Sequence, residues 1–211
     1  MLFTSLIGCT IVHELSNRLP MKRWSNVRHR GNLIASMVFQ IYFVTKAAYL
    51  IYLEHHGGAT EFLQEETFQQ LRVFIGYFIY DLCYLIQTDP SSGYVLHHLV
   101  AIGMLSVLCS LGLPRLDLLS YYNQLCFVTE VTNPITTLRH FTKGSNYERC
   151  QRVLMFLTYT IFRVFLYPLL SYRLMPHLQH PSLVYLFLSI YGMSLVWYRR
   201  ILHMTFSSSK S

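Results

Sequence analysis

The chain has 211 residues, of which 53% are hydrophobic and only 13% are charged, and its mean hydropathy is positive. Soluble domains carry about twice that share of charged residues, so the composition excludes an ordinary soluble domain and indicates an integral membrane protein. The formal net charge of +7 is also found in nucleic-acid-binding proteins, but in a membrane protein the basic residues must first be placed relative to the bilayer.

Six segments approach the length of about 20 apolar residues that crosses a bilayer core as a helix. They cover residues 33–53, 71–87, 94–113, 116–138, 151–172 and 182–203. This pattern predicts an all-α, polytopic bundle with six spans, in which residues 33–203 form one transmembrane domain between an N-terminal segment, 1–32, and a tail, 204–211. The apolar stretch at residues 1–15 is about 20 Å long as a helix. It is interpreted as an interfacial helix or as a short seventh span.

The basic residues collect on one side of this topology. With six spans, that side holds both termini and carries Arg18, Lys22, Arg23, Arg28, Arg30, Arg139, Lys143, Arg149, Arg152, Arg199, Arg200 and Lys210. The opposite side carries Arg115 and Arg173. By the positive-inside rule, the basic side is cytosolic. The net charge is therefore interpreted as an orientation signal, and no nucleic-acid partner is expected. A seventh span would move the amino terminus to the other side.

Four ionisable residues inside the apolar segments lie toward the same side of the membrane: Asp81, the adjacent pair His97 and His98, and Glu130. Such residues are costly in a membrane and mark functional sites by default. Helical rise predicts depths below the cytosolic surface of about 9 Å for Asp81, about 5 Å for the histidines and about 12 Å for Glu130. All four therefore fall in the cytosolic half, and we predict that they converge on one catalytic site.

The two histidines are expected to have different roles, because consecutive helical residues point about 100° apart. One is predicted to be the working group and the other its hydrogen-bond partner. A histidine can take a proton from a nucleophile or itself accept an acyl group, and a carboxylate can fix its tautomer. The alternative is that these polar groups only hold the helices together.

Eight further residues are predicted to bind lipid because they share helix faces with these groups or lie near them at the cytosolic end. They are Tyr77, Tyr84, Asn123, Phe127, Asn133, Arg163, Trp197 and Tyr198. Arg163 needs a counter-charge inside its span, and Glu130 and Asp81 are the candidates. The five cysteines are scattered, with no spacing that suggests metal ligands, so no metal site is predicted.

Several short motifs resemble the TLC domain. They are GYFIYD at 76–81, the histidine pair, TEVTNP at 129–134 with Arg139 close behind, and FR at 162–163. The resemblance covers residues 24–200. That family includes the translocon-associated protein TRAM, ceramide synthases of the Lag1 type, a neuronal ceroid lipofuscinosis protein and several small TLC-domain proteins. It implies a role in lipid metabolism, in the endoplasmic reticulum or a connected membrane.

The resemblance is greater to the small TLC-domain proteins than to the ceramide synthases. Ceramide synthases have a second His-Asp element further along the chain, where Gln124 and Leu125 stand here. The small proteins are linked to phospholipid composition and lipid homeostasis. Two other lipid enzymes fit less well. Elongases have HxxHH, with Tyr94 in place of the first histidine, and desaturases need further histidine boxes, whereas His55 and His56 lie on the opposite side of the membrane.

The sequence thus predicts a multi-pass protein of lipid metabolism or membrane lipid homeostasis that binds or remodels lipids in a cavity open to the cytosolic leaflet. Acyl transfer through His97 or His98 is the candidate reaction, with acyl-CoA as co-substrate and no resident cofactor. The expected partners are membrane lipids or fatty acyl chains. The alternative is a non-enzymatic lipid-binding, sorting or regulatory protein, and a ceramide synthase is third. The sequence indicates no oligomeric state.

Overall fold

The computed structural model describes residues 2–18, 29–89, 93–110, 119–177 and 181–207, and all regular secondary structure in these ranges is helical. The all-α prediction is therefore confirmed for them. The helices are α1 Leu2–Arg18, α2 Arg30–His55, α3 Thr60–Thr88, α4 Gly93–Ser110, α5 Leu119–Glu130, α6 Thr132–Thr142, α7 Glu148–Tyr159, α8 Tyr167–Leu174 and α9 Pro181–Phe206. A π-helical segment, Thr160–Leu166, joins α7 to α8, and a 3₁₀ turn, Met175–His177, follows α8.

In the part of the chain that the structure describes, three helical stretches are long and apolar enough to cross a membrane: Arg30–His55, Glu148–His177 and Pro181–Phe206. Their lengths of 26, 30 and 26 residues exceed the 20 or so that a bilayer core of about 30 Å requires. The helix α4 is also apolar but shorter. The helix α3 is long, but Glu61, Glu65 and Glu66 lie in its first turns. The predicted spans 33–53, 151–172 and 182–203 lie within the three long stretches, so the chain has the helices of an integral membrane protein.

Polar side chains occupy the interior between α2, α3 and α6, while many large apolar side chains face outward. Gln40 is buried on α2, and its amide donates to the Tyr77 hydroxyl of α3 at 3.4 Å. The Thr137 hydroxyl of α6 donates to Gln40 Oε1, the side-chain amide oxygen, at 3.2 Å. On the outer faces, Ile41 and Phe165 are 50% and 66% exposed. This arrangement suits a lipid solvent, in which interhelical hydrogen bonds and close packing hold the helices together.

The first helix packs along α2 and α3. The Ser5 hydroxyl donates to the Val73 carbonyl at 2.9 Å, and the His13 ring is hydrogen-bonded to the Tyr80 hydroxyl. Because both contacts advance in the same direction along the chain, α1 runs parallel to α3. Gly31 of α2 allows a close approach, since a Cβ there would lie 2.5 Å from Asn17 Oδ1. The segment predicted as interfacial or as a seventh span is thus packed against the bundle.

Two prolines explain the interruptions in the later helices. Pro134 has no N–H to donate to the Glu130 carbonyl, and the regular α-helix is interrupted at Val131, which keeps helical backbone angles between α5 and α6. Pro168 follows the π-helical segment, which accommodates the proline ring by widening the preceding turn. Both irregular segments carry polar residues of the predicted site, namely Glu130 on one side and Arg163 on the other. The breaks therefore influence how these side chains are directed.

Candidate functional site

His98 is held on both sides of its ring. Its Nε2 lies 2.8 Å from Asp81 Oδ2, and its Nδ1 lies 2.7 Å from the carbonyl oxygen of Tyr94, one turn earlier in α4. The other Asp81 oxygen, Oδ1, accepts a hydrogen bond from Asn32 at 2.9 Å. His98 and Asp81 are only 5% and 8% exposed. This buried set of contacts ties α2, α3 and α4 together near one end of the bundle.

These partners decide which protons the His98 ring carries. A carbonyl oxygen only accepts hydrogen bonds, so Nδ1 must carry a proton and donate it to Tyr94. The contact between Nε2 and Asp81 Oδ2 also contains a proton. This proton is bound to the ring if His98 is an imidazolium and to the carboxyl group if Asp81 is a carboxylic acid. His98 therefore has no free lone pair with which to act as a base or nucleophile.

His97 has a different environment, as the helical turn predicts. The rings of His97 and His98 are nearly perpendicular, at 89°, with centroids 5.5 Å apart. The His97 ring packs edge-to-face against Trp197, at 4.9 Å, and against Phe78, at 6.2 Å. Its Nδ1 is buried and has no hydrogen-bond partner among the described residues. His97 is thus the member of the pair with an uncommitted ring nitrogen.

The His97 side chain lines a small cavity between α3, α4, α5 and the π-helical segment. Its walls are mostly apolar, with Phe74, Phe78 and Met104 among them, and its polar members include His97, Glu130 and Arg163. The cavity volume is about 60 Å³, whereas sites for small molecules measure about 300 to 1,000 Å³. The space formed by the described residues therefore suits the reacting group of a ligand or a few water molecules, not a whole lipid.

Glu130 and Arg163 are connected through one amide side chain. Asn133 Nδ2 donates to Glu130 Oε2 at 2.8 Å, and Asn133 Oδ1 accepts from an Arg163 Nη at 3.1 Å. Arg163 Nε also donates to the Thr132 hydroxyl at 3.2 Å. Glu130 is 5% exposed and Arg163 is 3% exposed. Of the two predicted counter-charges, Glu130 shares the cavity with Arg163, while Asp81 is paired with His98.

Replacement of Asn133 by leucine should lower the free energy of unfolding by about 1 to 3 kcal/mol, because two buried charged groups each lose a hydrogen-bond partner. Reversible unfolding in detergent micelles measures this loss. Thr136→Ala is the matched control, since its hydroxyl donates only within its own helix, to the Asn133 carbonyl. An equal loss in both variants would show that the Asn133 amide, which joins Glu130 to Arg163, makes no specific contribution to stability.

Asn133, Arg163 and Trp197 are the predicted lipid-binding residues that lie at the site. Tyr77 is buried on α3, one turn from Asp81, and its ring stacks on Phe39 at 5.9 Å. It belongs to the polar interior and does not line the cavity formed by the described residues.

Tyr84 and Asn123 also lie away from the cavity. The Tyr84 hydroxyl is 2.6 Å from His29 Nδ1, so this side chain faces the chain that leads into α2. Asn123 is buried, and its amide donates to the Thr67 hydroxyl of α3 at 3.2 Å. This bond ties α5 to α3.

Phe127 and Tyr198 form contacts between helices. Phe127 packs against Phe162, with ring centroids 6.2 Å apart. The Tyr198 hydroxyl accepts from Thr160 at 3.3 Å, and its ring stacks on Tyr159 at 6.3 Å. Neither side chain lines the cavity among the described residues.

Sequence reasoning missed Asn32, Phe78 and Thr132. Asn32 orients Asp81, Phe78 touches both histidine rings at 5.1 and 6.2 Å, and Thr132 holds Arg163. Asn32 could have been predicted from the sequence, because it is an amide side chain at the start of an apolar segment. Thr132 lies within TEVTNP, while Phe78 resembles every other aromatic residue in α3.

The arrangement provides an uncommitted imidazole nitrogen, a buried carboxyl and a buried guanidinium around one apolar space. The imidazole can take and return a proton, and the guanidinium can stabilise negative charge that develops on an oxygen. Because little water fits into the cavity, such charges interact strongly there. These properties suit a proton-transfer or acyl-transfer reaction.

Comparison with known proteins identifies the family. The family model described as TLC domain matches residues 29–205. Searches of curated proteins and of solved structures each gave no match. The matched region contains α2 to α9 as far as residue 205, and with it every residue of the site described above. The chain is a membrane protein that belongs to the TLC domain family.

Proposed function

We propose that this protein acts in lipid metabolism or membrane lipid homeostasis by transferring an acyl group from a thioester, with acyl-CoA as co-substrate. The TLC domain and the apolar helices support a membrane protein with a lipid-related role. The observation that carries the proposal is the buried, unpartnered Nδ1 of His97 at the cavity, beside a His98 ring whose nitrogens are both engaged.

The proposed reaction uses His97 as general base and then as general acid. The hydroxyl or amine of an acceptor lipid attacks the thioester carbonyl, and His97 Nδ1 takes the acceptor's proton. The C–S bond then breaks, the same proton passes to the leaving thiolate, and the acyl group remains on the acceptor. Arg163 stabilises the negative charge that develops on the carbonyl oxygen. Asp81 and His98 position the helix that carries His97.

A second candidate function is non-enzymatic lipid binding, sorting or regulation. The volume of about 60 Å³ favours it, because this space holds no complete acyl chain. In that case, Glu130, Asn133 and Arg163 shape the interior without taking part in a reaction. A ceramide synthase is the least supported candidate, since Gln124 and Leu125 stand in place of the second His-Asp element.

An acyl-transfer assay distinguishes the enzyme from the lipid-binding protein. The purified full-length chain in dodecyl maltoside is incubated with clickable palmitoyl-CoA and a membrane lipid extract. Acyl transfer predicts a labelled lipid product in amounts that grow with protein concentration. Absence of any labelled product, together with lipid that co-purifies with the protein, would reject the enzyme and favour the binding protein.

We also propose six core spans, formed by α2, α3, α4, the α5–α6 pair, the stretch from α7 to α8, and α9, with α1 as a seventh. The contacts of α1 with Val73 and Tyr80 support this, since they align it parallel to α3. The basic side is proposed to be cytosolic, and the endoplasmic reticulum or a connected membrane is the proposed location. With a seventh span, the amino terminus and the carboxyl terminus lie on opposite sides.

Glycosylation tags test this orientation. Tags at residue 57, between α2 and α3, and ahead of residue 2 should be modified, because both positions face the lumen in the proposed topology. A tag at residue 145, between α6 and α7, should remain unmodified. Modification at 145 without modification at 57 would overturn the orientation. An unmodified amino-terminal tag with a modified tag at 57 would reject the seventh span alone.

A further inference from the structure

Two arginines lie near the end of the bundle that holds His97. Arg139 lies near the end of α6, and Arg200 lies in the last turns of α9. Both interact electrostatically with the hydroxyl of Tyr94, in the first turn of α4. The Tyr94 ring stacks on Trp197 at 5.0 Å, and Trp197 in turn contacts His97 at 4.9 Å. Ring contacts therefore lead from Tyr94 through Trp197 to His97, and both arginines lie within electrostatic range of Tyr94.

Arg139 and Arg200 are not neutralised by a carboxylate among the described residues. Arg139 Nε is buried without a hydrogen-bond partner, and within the described ranges neither Arg139 nor Arg200 forms an ion pair. Arg152, in contrast, is paired with Glu148 and also donates to the Met204 carbonyl at 3.1 Å. Arg139 and Arg200 can therefore pair with an external anion close to Tyr94.

Further basic residues lie at this end, since Lys143 caps α6 and Arg199 precedes Arg200 on α9. Such a cluster of positive charge attracts anions. Arginine is well suited to phosphate, because its planar guanidinium donates two parallel hydrogen bonds to it.

We propose that Arg139 and Arg200 bind the phosphate of a phosphate-bearing amphiphile, with Tyr94 and Trp197 contacting the group that leads toward His97. The substrate class is therefore an acyl chain attached to a phosphate-containing head, which is either a coenzyme A thioester or an anionic phospholipid. This assignment rests on the proposed function for the role of His97, whereas the phosphate site itself requires no reaction.

Binding of three probes with the same fluorescent acyl chain tests the site. The probes are a non-reactive thioether analogue of acyl-CoA, a phosphatidic acid and an uncharged diacylglycerol, and the full-length chain is held in phosphate-free dodecyl maltoside. Wild-type protein should bind at least one phosphate probe about tenfold more tightly than the diacylglycerol. The phosphate probe that binds more tightly identifies the source of the phosphate.

The double variant Arg139→Gln/Arg200→Gln should lose this preference and keep its affinity for the diacylglycerol. Arg149→Gln/Arg199→Gln is the matched control, because it removes the same charge from exposed positions at the same end. The proposal is overturned if wild type shows no preference for phosphate, or if both double variants lose it equally. Raising the salt concentration should also weaken the preference of the wild-type protein for phosphate. This test does not depend on the folding of any variant.

The thioether analogue cannot transfer its acyl chain, so its binding is independent of turnover. A phosphate preference without any labelled product would reject the proposed acyl transfer and keep the phosphate site. Labelled product without a phosphate preference would reject the phosphate site and keep acyl transfer. The two proposals therefore fail separately.

Discussion

His97→Ala is expected to lower the rate of acyl transfer by a factor of about 10² to 10⁴, which is the range that a general base contributes. The physical reason is the uncommitted, buried Nδ1 of this ring beside the cavity. Because that nitrogen forms no hydrogen bond among the described residues, the loss of stability should come from the ring contacts with Trp197 and Phe78, at about 0.5 to 1.5 kcal/mol for each contact. The measurements are product formation with clickable palmitoyl-CoA and unfolding of the same preparation.

The matched control is His203→Ala, which removes an exposed histidine near the end of α9. Its rate should remain within about twofold of wild type, since a surface substitution away from the cavity leaves the reaction untouched. If a folded His97→Ala protein keeps the wild-type rate, His97 is not the base. If both variants lose activity equally, the loss does not report on the cavity.

Asp81→Ala and His98→Ala are each expected to lower the free energy of unfolding by about 3 to 5 kcal/mol, because removal of one partner leaves the other polar group buried and unpaired. These two side chains also connect three helices, through Asn32 of α2. Both variants should therefore lose activity through loss of folded protein. Reversible unfolding in bicelles gives the two free energies.

The double variant Asp81→Leu/His98→Phe separates pairing from packing. Replacing a whole buried pair by apolar residues of similar volume is often neutral, so this protein should be more stable than either alanine variant. It should also retain measurable acyl transfer, since His97 and the cavity remain. Losses of only about 0.6 kcal/mol in the single variants, typical of an average interhelical hydrogen bond in a membrane, would contradict the structural role given to the pair.

Variants at His97 and at His98 are expected to have different effects, although the two residues are adjacent on one helix. Substitution at 97 is expected to change the rate far more than the stability. Substitution at 98 is expected to change stability first. The difference arises because a helical step of about 100° turns one ring to Asp81 and the other to Trp197 and the cavity.

The all-helical fold was predictable from the sequence because apolar runs in a membrane protein have few alternatives to helices. The irregular segments were not predictable in the same way. Pro134 and Pro168 indicate interruptions, yet only packing decides that the first gives a break at Val131 and the second a π-helical segment at 160–166. The position of α1 likewise depends on the close contact at Gly31, which composition does not reveal.

The sequence predicts which residues form the candidate site better than it predicts which of them contact one another. Ionisable residues stand out in apolar segments, and helical rise placed Asp81, the two histidines and Glu130 in the same half of the membrane. The structure pairs Asp81 with His98 and places Glu130 and His97 at one cavity. Sequence could not decide which histidine is engaged, because that depends on helix rotation. It also could not show that Asn133 separates Glu130 from Arg163, since amide bridges depend on distances of a few tenths of an ångström.

The most direct test of the account is an experimental structure of the full chain with the non-reactive thioether analogue of palmitoyl-CoA. We predict that the carbon replacing the thioester carbonyl lies beside His97, with the phosphates at Arg139 and Arg200 and His98 still bonded to Asp81. An acyl chain bound elsewhere in the bundle, or a His97 nitrogen hydrogen-bonded to the protein with the ligand present, would contradict the assignment of this cavity as the reaction site.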